Sequence, residues 1–284
     1  MNPLRTALVA STLTLAAVAP ARNQPVQETN PAAPWVELHA SRVRLVASPA
    51  KTASGHYLAG LEIVMAEGWK TYWRMPGDAG VPPTFDWAGS ANVAAIKVLY
   101  PAPTRMAEAG GEVIAYKHAV LFPIEVMPQD PIKPVALKLA LEFGICREIC
   151  IPATASFKLD IVPGGAGATP REIMAALERV PRPHQSRRKD DPKLERVAVN
   201  RDGPTPRLTI EAVFHGGGKG ADVFVEAPEG LYVPLPKKLA GDAGGIVRFE
   251  TELARDLAQD LKGKTLTLTL VSEAGATEVQ WTFP

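Results

Sequence analysis

The two residues with the most distinctive chemistry are Cys146 and Cys150, the only cysteines in a chain of 284 residues. In an oxidising compartment, an even pair of this kind predicts a disulfide bond. Along a continuous strand their Cα atoms would lie roughly 13 Å apart, because each residue advances about 3.3 Å. A bridged pair needs less than about 7 Å. We therefore expect the chain to reverse direction between the two cysteines.

The segments on either side of the cysteines alternate between apolar and polar residues, which is typical of strands with one buried face. The apolar positions share one parity before and after the pair: Val135, Leu137, Leu139, Leu141, Phe143 and Ile145, then Phe157, Leu159 and Ile161. This predicts a hairpin in which Cys146 faces Cys150 and Leu139 faces Phe157, although a register slipped by two residues would keep the same faces. Both cysteines have the other parity, so we expect them to project away from the core and to be accessible.

Three kinds of chemistry remain open for this pair. A structural bond would contribute only about 2 kcal/mol in so short a ring, and the protein would then be a non-catalytic binding module. A reversible bond would carry electrons by thiol-disulfide exchange, but the adjacent charges give no direction, since Arg147 favours a thiolate and Glu148 opposes it. A reduced pair could instead bind Cu(I), with His118 or Met106 completing the site, which would connect the protein with copper tolerance.

The N-terminal sequence and the overall charge indicate where the protein is located and which partners are excluded. Residues 1–21 combine Arg5, an apolar run and small residues up to Ala21, which predicts a signal peptide cleaved after Ala21. An uncleaved membrane anchor is the alternative, but the run is short for a bilayer. We therefore expect a periplasmic protein. With 31 basic and 30 acidic residues, the chain lacks the charge typical of a nucleic-acid-binding protein.

Strand periodicity dominates the rest of the chain and predicts a mainly β fold with two immunoglobulin-like β-sandwich domains. We predict the first domain over residues 33–163 and the second over residues 194–284, joined by a short helix and a charged linker in residues 164–193. Thr169 and Glu172 have the spacing of a capping box at the start of that helix. The charges of the linker predict a solvated segment. Residues 251–261 fit either a short helix or a continued strand.

Two other motifs do not qualify as catalytic or phosphate-binding sites. The HGGG sequence of residues 215–218 is similar to an esterase oxyanion loop, but the chain contains no G-x-S-x-G nucleophile motif. Residues 218–220 lack the serine or threonine and the spacing of a phosphate-binding loop. We expect no cofactor.

The sequence around the cysteine pair resembles a known family. The resemblance is carried by GWKTYWRMPGDAGVPPTFDW (residues 68–87), YPAPTR (100–105), YKHAVLFP (116–123) and FGICREICIP (143–152). Together these runs resemble the N-terminal periplasmic domain of the DsbD family of thiol:disulfide interchange proteins, in the branch associated with suppressor-of-copper-sensitivity proteins. Most of the first predicted domain is covered, whereas the match to the second is much weaker.

The resemblance implies an immunoglobulin-like domain in which Cys146 and Cys150 form a redox-active disulfide, with Cys150 as the first attacking residue. The pair is separated by fewer residues than in the best-known members. In this family the domain takes electrons from a membrane-embedded thiol reductase and passes them to periplasmic thioredoxin-like or disulfide isomerase proteins. The chain would therefore act as one component of a protein-disulfide reductase system.

The resemblance also implies a loop that shields the cysteine pair. Its counterpart here is residues 103–112, with Met106 as the shielding side chain. Tyr72 and Trp73 are implied to lie beside the pair. Ordinary core packing is the alternative for all three side chains, because methionine and aromatic residues commonly fill protein cores.

Overall fold

The structure is a computed structural model that describes residues 31–108, 110–164, 168–240 and 245–284, so the predicted signal peptide lies outside the described residues. Most of it is strand, which confirms the mainly β prediction. The strands of the first half are β1 (Val36–Leu38), β2 (Ser41–Lys51), β3 (Tyr57–Met65), β4 (Lys70–Gly77), β5 (Thr84–Asp86), β6 (Val93–Val98), β7 (Thr104–Glu108), β8 (Gly111–Lys117), β9 (Ala119–Pro128), β10 (Val135–Cys146) and β11 (Cys150–Ile161).

The elements of the second half are helix α1 (Arg171–Glu178), strand β12 (Arg182–Pro183), a 3-10 turn (His184–Ser186), β13 (Lys193–Asn200), β14 (Arg207–Val213), β15 (Asp222–Glu226), β16 (Lys237–Lys238), β17 (Ile246–Glu252), helix α2 (Arg255–Asp260), β18 (Thr265–Ser272) and β19 (Gly275–Thr282). Neither α-helix in the described part of the chain is long and apolar enough to cross a membrane.

The first sandwich consists of two sheets that face each other across one hydrophobic core. One sheet has the strand order β1-β2-β3-β9-β6, and the other has the order β11-β10-β4-β8-β7, with β5 pairing beside β10. Inward-facing side chains of both sheets fill the core, among them Leu45, Leu61, Ile63, Phe122, Leu141 and Phe143. Alternate residues of each strand thus supply the apolar layer that holds the two sheets together.

The hairpin β10–β11 has the register that the sequence predicts. Cys146 pairs with Cys150, Leu139 with Phe157, and the pairing continues without a shift to the far end of both strands. The apolar parity faces the core on both strands. Slipping by two residues would have preserved the buried faces, so the observed register depends on the reversal at the cysteines.

The second sandwich pairs a sheet of order β12-β19-β18-β15 with a sheet of order β13-β14-β17-β16. Its core is separate and contains apolar residues from both sheets, among them Leu208, Ile210, Val225, Phe249, Leu266 and Leu268. Between strands β17 and β18 the chain forms helix α2, which resolves the ambiguity of residues 251–261. Leu253 and Leu261 are both fully buried there.

The helix between the sandwiches is present, but its predicted capping box is not. Pro170 occupies the N-cap position, and no side chain caps the helix. The hydroxyl of Thr169 is instead hydrogen-bonded to Ser48 at 3.1 Å. Ile173 is fully buried and packs with Val46. Packing against strands β2, β3 and β9 therefore orients this helix in place of a local cap.

The charged segment after the helix keeps Arg188, Lys189 and Asp190 exposed, as expected of a solvated linker, but the charged residue that follows them is buried. Strand β12 pairs in parallel with β19 of the second sandwich. Asp191 is buried and accepts hydrogen bonds from the Arg182 guanidinium and from the backbone N–H of Arg188. A buried carboxylate needs such partners, because desolvation without them is costly. The Asp191 carboxylate therefore forms hydrogen bonds within the folded chain and not with solvent.

The alternation of β10 predicts a large difference between neighbouring substitutions. Leu139→Ala should lower the free energy of unfolding by about 2–5 kcal/mol, because it leaves a cavity between the sheets. Glu142→Ala, on the exposed face of the same strand, should change it by no more than about 0.5 kcal/mol. Urea unfolding of both variants checks this, and equal losses would contradict the assigned faces.

Candidate functional site

The two cysteines form a disulfide bond that joins the last residue of β10 to the first residue of β11. The S–S distance is 2.00 Å and the Cα atoms lie 4.2 Å apart. The turn inside the ring contains a hydrogen bond from the N–H of Arg147 to the carbonyl oxygen of Ile149. The chain therefore reverses between the cysteines, as the spacing predicts.

The two sulfur-bearing residues differ sharply in exposure. Cys146 is only 2% exposed, whereas Cys150 is exposed. The expectation that both would be accessible is therefore wrong for Cys146. The face of β10 that carries it is open at Lys138 and Glu142 but covered at its end by other parts of the chain. Strand parity predicts the face of a residue but not what packs on that face.

Strand β7 and its partner β8 provide much of this cover. Cys146 belongs to a buried cluster with Tyr72, Met106, Val113 and Ala115. Met106 lies within the segment predicted to shield the pair, and it belongs to the same buried cluster as Cys146. Apolar contact with the methionine and its neighbours excludes water from the side of the disulfide formed by this cysteine.

Tyr72 contacts the other cysteine. Its hydroxyl lies 3.2 Å from Cys150 Sγ and donates to it, because a disulfide sulfur has no proton to give. Burial, with a further contribution from the charge of Glu108, raises the pKa of Tyr72, so the hydroxyl remains protonated in neutral solution. Tyr72 therefore spans the site from the buried cluster to Cys150.

Trp73 follows Tyr72 directly but lies on the opposite face of β4. It is fully buried in the core of the first sandwich, with its ring centroid 5.6 Å from that of Phe224. The structure therefore brings Met106 and Tyr72 to the cysteine pair but not Trp73. Adjacent strand residues point to opposite faces, so only one of the two aromatic residues could face the disulfide.

A partly buried ion pair at this site has no signal in the sequence. Lys70 is 8% exposed, and its ammonium lies 2.5 Å from the Glu108 carboxylate and 3.3 Å from the carbonyl oxygen of Arg147. Lys70 is also paired with Cys146 through the backbone. No short-range pattern signals this group, because its members come from strands β4 and β7 and from the turn between the cysteines.

The histidine of the Cu(I) hypothesis does not join the cysteine pair. His118 is exposed at the turn between β8 and β9. In residues 31–108, 110–164, 168–240 and 245–284, there is no group of three or more His, Cys, Asp or Glu side chains that could hold a metal ion. Cys146, Cys150 and His118 therefore do not form such a group.

Two exposed apolar side chains lie near the end of the hairpin that carries the disulfide. Ile149, inside the ring, is 68% exposed. Val81 is 48% exposed, and a Cβ atom added to Gly144 would meet its side chain at 3.0 Å. The opposite charges of Arg147 and Glu148 lie within the same turn. Cys150 thus opens onto a surface that combines apolar and charged groups.

Comparison with known protein families identifies the first sandwich. A family model for the N-terminal region of the thiol:disulfide interchange protein DsbD matches residues 42–161. The first sandwich is a DsbD N-terminal domain. This confirms the resemblance carried by the sequence motifs. Residues 179–284 match a domain of unknown function, DUF8393.

The fold of the whole chain is similar to a solved structure, that of the N-terminal periplasmic domain of ScsB from Proteus mirabilis. The match has a TM-score of 0.68 and 24% sequence identity, and it covers 90% of this chain and 99% of the other. It therefore includes most of both sandwiches. No curated protein sequence matches this chain.

Within the DsbD N-terminal domain, the loop after β4 has a conformation that keeps Tyr72 in place. Gly80 has φ +123°, and a Cβ atom there would lie 2.4 Å from the Tyr72 ring. Only glycine allows both this backbone conformation and this close approach. The loop therefore closes over the ring whose hydroxyl contacts Cys150.

We predict that Gly80→Ala destabilises the protein more than Gly55→Ala. Both positions have positive φ, so each substitution should cost about 1–2 kcal/mol in backbone strain. The new methyl group has open space at Gly55 but collides with Tyr72 at Gly80, which should add about 1–3 kcal/mol. Denaturant unfolding of both variants measures the difference, and equal costs would show that the ring yields freely.

Proposed function

We propose that this protein carries out thiol-disulfide exchange through a reversible Cys146–Cys150 disulfide. The observation that supports it most is the unequal exposure of the two cysteines. Cys150 is open to another protein, whereas Cys146 lies beneath Met106 and its neighbours. An exchange centre needs one sulfur that a partner can reach and a second that reacts only with the first.

The small contribution of the bond to stability also favours this function over a structural one. The ring contains only three residues between the cysteines, for which the loop-entropy model gives about 2 kcal/mol. Twelve residue pairs of the hairpin already hold the two strands together. Closing the ring therefore adds little that the β10–β11 ladder does not provide.

The reaction can be written with electrons and protons balanced. A thiolate of a donor dithiol attacks Cys150 Sγ, the Cys146–Cys150 bond breaks, and Cys146 leaves as a thiolate that takes up a proton. The second donor thiol, after losing its proton, attacks the mixed disulfide and releases reduced Cys150. The donor has then lost two electrons and become a disulfide. The reduced pair passes these electrons on when Cys150 attacks an acceptor disulfide and Cys146 resolves the intermediate.

The partners follow from the DsbD N-terminal domain. We propose a membrane-embedded thiol reductase as the donor and periplasmic thioredoxin-like or disulfide isomerase proteins as acceptors. The chain would work in the periplasm, exported by the signal peptide predicted in residues 1–21. It would act as one component of a protein-disulfide reductase system, and the exchange requires no cofactor beyond the cysteine pair.

The cysteine variants should differ in their ability to trap a partner. Cys146→Ser leaves the exposed thiol without its resolving partner, so a mixed disulfide with a thioredoxin-like protein should accumulate. Cys150→Ser retains only the buried thiol. Because a partner reaches this thiol less easily, the variant should trap less of the partner, by roughly tenfold or more. Non-reducing electrophoresis with mass spectrometry measures both. Equal trapping, or trapping by Cys150→Ser alone, would reverse the assigned roles.

The double variant Cys146→Ser/Cys150→Ser separates exchange from a structural staple. It should lose no more than about 2 kcal/mol of unfolding free energy and all exchange activity. The wild-type bond should have a reduction potential above roughly −300 mV, in the range of reversible disulfides. Unfolding of the variant at ordinary temperature, together with a wild-type bond that physiological dithiols cannot reduce, would favour the staple.

A further inference from the structure

Strand β7 (Thr104–Glu108), here named the cap strand, connects the disulfide to the second sandwich. Met106 belongs to the buried cluster of Cys146, and Glu108 pairs with Lys70 at the same site. Arg105 comes directly before Met106 in sequence. Because side chains alternate along a strand, Arg105 leaves the opposite face, which is turned toward the second sandwich.

The Arg105 guanidinium is held by groups of both sandwiches. It forms a bidentate pair with Asp222, with Nε–Oδ2 and Nη2–Oδ1 distances of 2.9 and 2.6 Å. Nη2 also donates to the carbonyl oxygen of Pro236, and Nη1 donates to Glu112 on strand β8. The Arg105 and Asp222 side chains are only 15% and 21% exposed, so water and salt screen this charge-assisted pair weakly.

A second contact joins strand β8 to the second sandwich. Asp78, in the loop after β4, accepts hydrogen bonds from the backbone N–H of Glu112 at 2.8 Å and from the Tyr232 hydroxyl at 2.7 Å. The bond from the Glu112 N–H lowers the pKa of Asp78, and the bond from Tyr232 lowers it further, so the carboxylate remains ionised. A Cβ atom at Gly111 would lie 2.6 Å from the Asp78 carboxylate, so glycine permits this approach.

We propose that Arg105 is a positioning residue that keeps the cap strand closed over Cys146 by pairing with Asp222 of the second sandwich. The inference rests on the exchange function proposed above, in which Cys146 is shielded from competing reactions until Cys150 has formed a mixed disulfide. The second sandwich thereby controls how often the resolving thiol is uncovered. Loss of the pair should expose Cys146 while leaving Cys150 as accessible as before.

The same interface contains a matched pair that does not involve the cap strand. Arg74 on β4 binds Glu226 in a bidentate arrangement, with both distances 2.7 Å. Glu226 and Asp222 both lie on strand β15. Each of these carboxylates therefore pairs with an arginine of the first sandwich. Asp222→Asn and Glu226→Gln therefore remove equivalent charges, but only Asp222→Asn removes a contact of the cap strand.

The test measures alkylation of each thiol in the reduced protein of full length. Iodoacetamide is added under native conditions, the protein is digested, and mass spectrometry follows both cysteines. Trypsin cleaves after Arg147, so Cys146 and Cys150 are quantified on separate peptides. We expect Asp222→Asn and Arg105→Gln to accelerate labelling of Cys146 on the order of tenfold, the effect expected from the loss of coupling between residues in contact. Glu226→Gln should leave it within about twofold of wild type, and Cys150 should label equally in all four proteins.

The double variant Arg105→Gln/Asp222→Asn distinguishes a specific pair from general loosening. It should label Cys146 no faster than Arg105→Gln alone, since that change already removes the pair with Asp222. Equal acceleration by Glu226→Gln, multiplicative effects in the double variant, or unchanged labelling in Asp222→Asn and Arg105→Gln would each overturn the inference. Labelling needs no protein partner, so these outcomes are independent of the trapping experiment that tests exchange. Should one single variant unfold, the other still decides the result.

Discussion

Side chains in strands β10 and β11 alternate between two faces, and the register of this hairpin decides which residues enter the core. One parity supplies apolar residues between the sheets, as Leu139 and Phe157 do in a directly facing pair. The other parity takes no part in that core, and at the end of the hairpin it carries Cys146 and Cys150. The proposed exchange would open and close this bond without disturbing the core, because the β10–β11 ladder maintains the reversal.

The two sulfurs of a disulfide are chemically equivalent, but here one cysteine is covered and the other is open. In the proposed exchange, this difference would decide which sulfur reacts first. Met106 and the rest of the buried cluster surround Cys146, while the Tyr72 hydroxyl reaches the exposed Cys150. An incoming sulfur must approach the sulfur that it attacks, so the geometry favours Cys150 as the point of entry. The ion pair of Lys70 and Glu108 lies on the same side as Met106 and adds a fixed contact between strands β4 and β7. The order therefore depends on packing between strands that are distant in sequence.

The sequence predicts the hairpin and its register well, because both follow from local alternation and from the distance limit of a disulfide. It does not predict the burial of Cys146, since the covering strand lies about forty positions earlier and only the family resemblance indicated it. Tyr72 and Trp73 illustrate the same limit: a motif gives their neighbourhood, but the strand turns only one of them toward the disulfide. The environments of Thr169 and Asp191 also differ from what the sequence predicts. The Thr169 hydroxyl bonds to Ser48 and does not cap the helix. Asp191 pairs with Arg182 and is buried, whereas the sequence predicts a solvated carboxylate.

The interface between the sandwiches has the same alternating logic. Along β15, Val223 and Val225 enter the core of the second sandwich, whereas Phe224 packs with the core of the first. Asp222 and Glu226 flank Phe224 and pair with two arginines of the first sandwich. An apolar contact gives little directional preference, but bidentate ion pairs on either side of it fix how the strand lies across its neighbour. Because one of these arginines belongs to the strand over Cys146, the orientation of the second sandwich and the cover of the disulfide are parts of one arrangement.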